Sequence, residues 1–380
     1  MFGRGAANRQ KKSGQNALVN GRSTKGGGNG QVLMKAAVMH GKGDIRLESV
    51  PAPVAGEGEI IVKVRASGIC ATDIKMLLGQ GAPKDLPAIL GHEVSGIIAQ
   101  TGPGVQNYAA GDRVAVYPIA VCGECFFCKR GRHNLCLHEF GLSHGIDGGF
   151  AEYVRIPRQI INAGGVVKLP DHVPFDKAAV AEPLSCCLAA ARATGTNVGD
   201  NVLVVGAGPM GLMHLKTALW HKARVMVADV RPDRLALAEK MGAAVGLDAN
   251  SADVGGAVRR LTGGLGADIV IASLGVPEVM ERYFPAVRNG GIFNVFGGPP
   301  AGQPVPVDLR WLHYAEIMLT GTFASTPADF QLAVSLISSG EIEVDDLISH
   351  RYTLDDMLDA VEQARRQEII KGVVLIPEGD

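Results

Sequence analysis

A chain of 380 residues with 37 Lys plus Arg against 38 Asp plus Glu has no long-range field with which to grip nucleic acid or an anionic membrane. Its length allows two domains with separate cores, and 50 glycines with only 20% charged residues fit a compact α/β enzyme and exclude a disordered chain. No apolar run approaches the roughly 20 residues needed to span a bilayer, so a soluble protein with neither a membrane nor a nucleic-acid partner is expected.

Residues 1–33 stand apart: six basic side chains and no acid between Arg4 and Lys25, with Gly and Asn filling the gaps. Such a segment cannot bury a core, and a disordered basic extension is expected. Without an apolar h-region a secretory signal is not expected, and an organelle-targeting arm, an artificial leader or an upstream start is expected instead. From Met34 to about Val116 the chain reads as short strands (Lys35–Met39, Ile60–Ala66, Val94–Ala99, Asp112–Val116) separated by Gly and Pro turns, a small barrel-like domain. An irregular lobe follows, with a strand at Gly149–Ile156 and an Ala-rich helix at Leu184–Thr194.

Asn201–Val205 (Asn-Val-Leu-Val-Val) is an apolar run that reads as a buried parallel strand, and a regular alternation follows it. Helices are predicted at Met210–Lys222, Arg231–Met241 and Glu278–Val287, and strands at Arg224–Ala228, Ile269–Ala272 and Gly291–Phe296. That order predicts a doubly wound parallel sheet. Two amphipathic helices, Pro327–Ser339 and Leu354–Gln367, precede a closing strand at Gly372–Ile376 that is expected to rejoin the first domain.

Gly206-Ala207-Gly208-Pro209-Met210-Gly211 lies directly between the buried strand and a helix. Gly206 permits the tight turn, Gly208 the approach of a pyrophosphate, and Gly211 close helix packing, while the helix N-terminus offers free N–H groups to the phosphates. Asp229 ends the next strand 18 residues after Gly211, placed to accept both ribose hydroxyls and repel a 2′-phosphate. NAD is therefore expected before NADP, with Arg231 and Arg234 near enough to soften the preference. An unliganded Gly-rich turn is the alternative reading.

Cys122, Cys125, Cys128 and Cys136 crowd into one segment of a chain with seven cysteines. Four thiolates so spaced can close a tetrahedron around zinc with no open position, a structural site. Metal ligation rather than disulfide pairing implies a reducing, cytoplasmic compartment. Cys70, His92 and an acid, Glu93 or Glu182, could instead supply three ligands and leave a fourth position open for a Lewis-acid zinc. Thr72, two residues after Cys70, could pass a hydroxyl proton outward. Taken singly each has a plainer reading: a buried cysteine, a hydrogen-bonded histidine, a helix-capping glutamate.

Together these motifs resemble the zinc-dependent medium-chain dehydrogenases, most of all their sorbitol (polyol) and threonine dehydrogenase branch. The residues that carry the resemblance are Gly68-x-Cys70-x-Thr72-Asp73, Gly91-His92-Glu93, the four-cysteine lobe, Ala181-Glu182-Pro183-Leu184-Ser185 and the glycine loop. It covers Met34 to the C-terminus. It implies a GroES-like catalytic domain (34–186 and 325–380, with the zinc lobe at about 118–140) into which a Rossmann domain (187–324) is inserted. It implies two zinc ions, NAD bound by Gly206, Gly208, Pro209, Met210, Gly211, Asp229 and Arg234, and a catalytic zinc held by Cys70, His92, Glu93 and Glu182. Thr72 would be the proton relay and Asp73 an acid behind the metal.

The chain also departs from that pattern. Lys75 replaces a relay histidine, and His313-Tyr314-Ala315-Glu316 puts Ala315 where an arginine would touch substrate. Loops around Tyr117, His144, His313 and Glu316 are expected to set specificity, and Cys186 and Cys187 to be packing residues. The expected reaction is oxidation of a secondary alcohol (polyol, cyclitol or sugar-derived) to its ketone, with threonine-type or simple alcohol oxidation as the alternative and an inactive zinc- and NAD-binding protein as a distant one. The resemblance also implies a homo-oligomer, tetramer or dimer, joined near Gly291–Pro306.

Overall fold

The computed structural model describes residues 32–80, 85–251 and 253–377. Of the expected basic extension, residues 1–31 lie outside the described residues, and Leu33 already belongs to the first strand.

Two antiparallel strands, Leu33–Gly41 and Asp44–Pro51, begin the fold. The second was not expected, because its Asp-Ile-Arg-Leu-Glu-Ser run is too polar to be read as a strand from composition. Next to them a seven-stranded sheet runs in the order Val166–Lys168, Arg113–Val116, Glu93–Thr101, Ile60–Gly68, Lys371–Leu375, Ile348–Tyr352, and Tyr153–Ile156 also pairs with Ile60–Gly68. Ile60, Val62 and Val64 are wholly buried, the β-branched filling expected of a sheet packed against a core. As expected, the last strand returns to this sheet: Val373 lies opposite Gly68 and Leu375 opposite Ala66.

The second large sheet is all parallel and reads Val245–Asp248, Arg224–Asp229, Asn201–Val205, Ala267–Ala272, Val287–Val295, Met318–Gly321. Its central strands are buried on both faces. Val202, Val204, Val225, Val227, Ile269 and Ile271 face one core, while Leu203, Val205, Met226, Ala228, Val270 and Ala272 face another. The first of these cores also takes in Ala66, Ala115, Tyr117 and Val373, so one apolar cluster joins the two sheets. The strand order reverses at Asn201–Val205, the switch point where such sheets open a ligand crevice at the carboxyl ends of their strands.

Several elements differ from expectation for local reasons. The predicted helix Glu278–Val287 stops as an α-helix at Tyr283 and turns through a 3-10 segment, Phe284–Ala286. Pro285 has no N–H to continue the ladder, so Val287 is freed to open the strand Val287–Val295. The last predicted helix likewise starts with a 3-10 turn at Leu354–Asp356 and is α-helical only over Met357–Arg365. Helix Val254–Leu261 and strands Val245–Asp248, Met318–Gly321 and Ile348–Tyr352 were not foreseen. Among the described residues no helix is long and apolar enough to cross a membrane.

Candidate active site and metal centres

The strand Ile60–Gly68 ends where a Cβ on Gly68 would fall 1.8 Å from Glu93 Oε2, so only glycine lets the acid in so close. Cys70 then caps the helix Ala71–Leu77: its thiol accepts from Thr72 N at 3.5 Å, and its own N–H donates to Asp73 Oδ2 at 2.9 Å. Asp73 is buried, and its Oδ1 accepts from Gly91 N and lies 3.3 Å from His92 Nδ1. One carboxylate thus fixes both the thiol-bearing turn and the imidazole. The ligand atoms of Cys70, His92 and Glu93 all lie within 4.8 Å of one another. Burial opposes charge on His92, but Asp73 and then Cys70 outweigh it and hold its pKa well above the usual value.

Glu93 is fully buried and faces a residue that sequence reading missed. Lys371 Nζ lies 2.6 Å from Glu93 Oε1 and 2.5 Å from Oε2, and donates to Ile69 O at 3.0 Å. Burial lowers the lysine's pKa, yet the Glu93 charge more than restores it. No local signal could have found a partner 278 residues away.

Glu182 stands on the first turn of the helix Ala181–Thr194 and is not part of the Cys70–His92–Glu93 cluster. Burial pushes its pKa up to about 7, and the neighbouring charges of His92, Glu93, Lys371 and Asp73 partly cancel one another. Cys187 is a core residue, as expected. Cys186 is not simply packing: its Sγ lies 3.9 Å from Glu182 Oε1, one helical turn away. Thr72 and Lys75 are exposed on the helix that follows Cys70.

The four cysteine sulfurs of the lobe also lie within 4.8 Å of one another, with Cys122 Sγ 3.5 Å from Cys136 Sγ and 3.9 Å from Cys128 Sγ. A tetrahedral zinc with sulfurs at about 2.3 Å requires edges of about 3.8 Å, whereas a disulfide requires about 2.05 Å. The lobe therefore fits a metal and not a cross-link. Hydrogen bonds from the backbone, led by Leu137, hold the partly buried Cys125 thiol down at about 6.

At the glycine loop, Gly206 adopts φ 97 and a Cβ on Gly211 would lie 1.7 Å from Gly206 O, in keeping with the tight turn and close packing read from the sequence. Pro209 occupies the first turn of the helix Pro209–Trp220, and Met210 follows it. Asp229 Oδ2 accepts from Ala207 N at 2.6 Å and Oδ1 from Arg231 N at 2.9 Å, so the carboxylate braces the loop. Arg234 is buried, donates to Gln367 O, and its NH1 lies 3.5 Å from where a Gly208 Cβ would sit.

Two expectations about substrate contacts are corrected. Tyr117 is wholly buried and donates to Ser325 O at 2.6 Å, so it cannot touch substrate. His313 and Glu316 precede the strand Met318–Gly321 and therefore sit at the amino ends of the parallel strands, opposite the crevice. Gly291 lies inside a strand paired on both sides, and Met318–Gly321 is the open edge of the parallel sheet. The remaining specificity candidate, His144, is partly exposed with Nε2 3.3 Å from Glu139.

Residues 56–171 match the alcohol dehydrogenase GroES-like domain and residues 209–339 the zinc-binding dehydrogenase domain. The chain is 32% identical to a sorbitol dehydrogenase of Bacillus subtilis over 336 residues, 87% of this chain and 93% of that one. The chain belongs to the zinc-binding alcohol dehydrogenase family. An L-threonine 3-dehydrogenase of Bacillus velezensis is 33% identical over 87% of this chain and 95% of its own. A zinc-binding dehydrogenase from Sinorhizobium meliloti, solved with NADP, superposes with a TM-score of 0.86 at 32% identity over 91% of this chain and 100% of its own. As a member of this family, the chain is an oxidoreductase acting on CH–OH groups.

Proposed function

We propose that this dehydrogenase oxidises a secondary alcohol of the polyol, cyclitol or sugar-derived class to its ketone, with transfer of hydride to NAD. The observation that carries the reading is the convergence of Cys70, His92 and a buried acid on one point, with Glu182 close by on a separate helix. The sorbitol dehydrogenases among its relatives support the polyol class.

Cys70 and His92 would hold the catalytic zinc, with Glu93 behind them and Glu182 joining directly or through water. Bound zinc supplies Lewis acidity toward the alcohol oxygen. Asp73 fixes the geometry of the thiol and the imidazole, and Thr72, exposed beside Cys70, carries the hydroxyl proton outward. The second zinc would sit in the four-cysteine lobe, making two per chain. The domains would divide at 34–186 with 325–380 for catalysis and 187–324 for the dinucleotide.

NAD is favoured over NADP because Asp229, at the carboxyl end of its strand, would accept the ribose hydroxyls, while Arg231 is committed to Asp233 and Gln367. The open edge strand exposes Met318 and Leu319 beside Leu309 and Tyr314, and a homo-oligomer would cover it. A cytoplasmic setting keeps the thiolates reduced. Reduced-nicotinamide absorbance over polyols, inositols, threonine and primary alcohols, with NAD and NADP side by side, tests the reading. Turnover of ethanol-like substrates alone would overturn the polyol class.

A further inference from the structure

The segment Thr322–Ser325 leaves the parallel strand Met318–Gly321 and enters the helix Pro327–Ser339, held at three separate points. Thr322 donates its N–H to Val295 O at 3.2 Å and its hydroxyl to Asn294 Oδ1 at 3.1 Å, which fixes one end to the carboxyl edge of the parallel sheet. Ser325 is buried at the other end: its hydroxyl pairs with Ser185 Oγ at 2.6 Å, and its carbonyl accepts from Tyr117. Between them the Phe323 carbonyl accepts from Asn134 Nδ2 at 2.9 Å.

Asn134 belongs to the four-cysteine lobe, on the 3-10 turn His133–Leu135 just ahead of Cys136. Ala324 adopts φ 53, a left-handed conformation that costs a non-glycine residue about 1 kcal/mol. Such a backbone persists only where its surroundings over-determine it, and here the anchors on either side do so.

The strap borders both halves of the cleft. One end meets the carboxyl edge of the sheet, where ligands of parallel sheets lie. The other meets Ser185, whose hydroxyl donates to Glu182 O at 2.6 Å on the turn that carries Glu182. The lobe is built of short turns, so its cysteine centre is what gives Asn134 a fixed place from which to hold the strap.

We propose that Asn134 is a positioning residue: through the Phe323 carbonyl, the four-cysteine lobe holds the strap over the cleft and so sets dinucleotide affinity as well as stability. This inference rests on the reading that the dinucleotide lies at the carboxyl edge of the parallel sheet.

The test uses the full chain with both zinc sites filled, comparing wild type with Asn134→Asp, an isostere without the donor, and with Asn134→Ala in case the aspartate itself disturbs the lobe. Dinucleotide affinity is titrated with NAD, zinc per chain is measured, and amide hydrogen exchange is followed across residues 322–325. With zinc content unchanged, the Kd for NAD is expected to rise about two- to tenfold, the worth of one hydrogen bond, and exchange in the strap to quicken. Removing zinc from the wild-type lobe is expected to quicken the same amides. Unchanged affinity and exchange in both variants would overturn the coupling while leaving the cleft assignment intact. A wild-type chain that bound no dinucleotide would overturn both.

Discussion

Lys371 and Glu93 form a wholly buried ion pair, 2.6 Å from Nζ to Oε1, that binds the closing strand to the strand carrying His92's neighbour. Removing one partner strands the other charge in the interior, which typically costs about 3 to 5 kcal/mol. Lys371→Met is therefore expected to lower unfolding stability by about that much, and the double variant with Glu93→Gln to recover most of it. Denaturant unfolding checks this, and a Lys371→Met chain of wild-type stability would refute it.

The glycine loop makes a second prediction. A methyl group on Gly211 has nowhere to go, since it would lie 1.7 Å from Gly206 O, so either the turn or the helix must shift. Gly211→Ala is expected to weaken NAD binding by about tenfold or more while leaving zinc content at the wild-type level. Equilibrium titration with NAD, alongside metal analysis, separates this from general unfolding.

How far the site could be read from the sequence follows from how local each signal is. The turn Gly68–Asp73, the loop Gly206–Gly211 and the four cysteines are short contiguous patterns, so their chemistry was visible at once. The parallel strands were legible as apolar runs, but Pro285 and polar strands such as Asp44–Pro51 hid element boundaries. Lys371, Ser325 and Asn134 act through contacts with residues far away in the chain, and nothing near them in sequence marks them. Glu316 failed for the converse reason: a local match located it correctly along the chain but said nothing about which end of the sheet it would reach.

Metal uptake carries a pH prediction with a definite sign. In the metal-free fold His92 holds its proton well above its ordinary pKa, and burial raises Glu182 to about 7. Ligation requires a neutral imidazole and an ionised carboxylate, so zinc must displace protons, and its apparent affinity rises with pH. Competition with a chromophoric chelator is expected to show affinity increasing by up to about tenfold per pH unit for each proton released between about pH 6 and about pH 8. A flat profile would mean that His92 and Glu182 do not ligate.

Zinc content of purified Cys70→Ser addresses the catalytic centre most directly. If Cys70 and His92 share one ion while the four-cysteine lobe holds another, the count falls from two per chain to one, and alcohol oxidation is lost. A Cys70→Ser chain that kept both ions and full turnover would contradict the assignment.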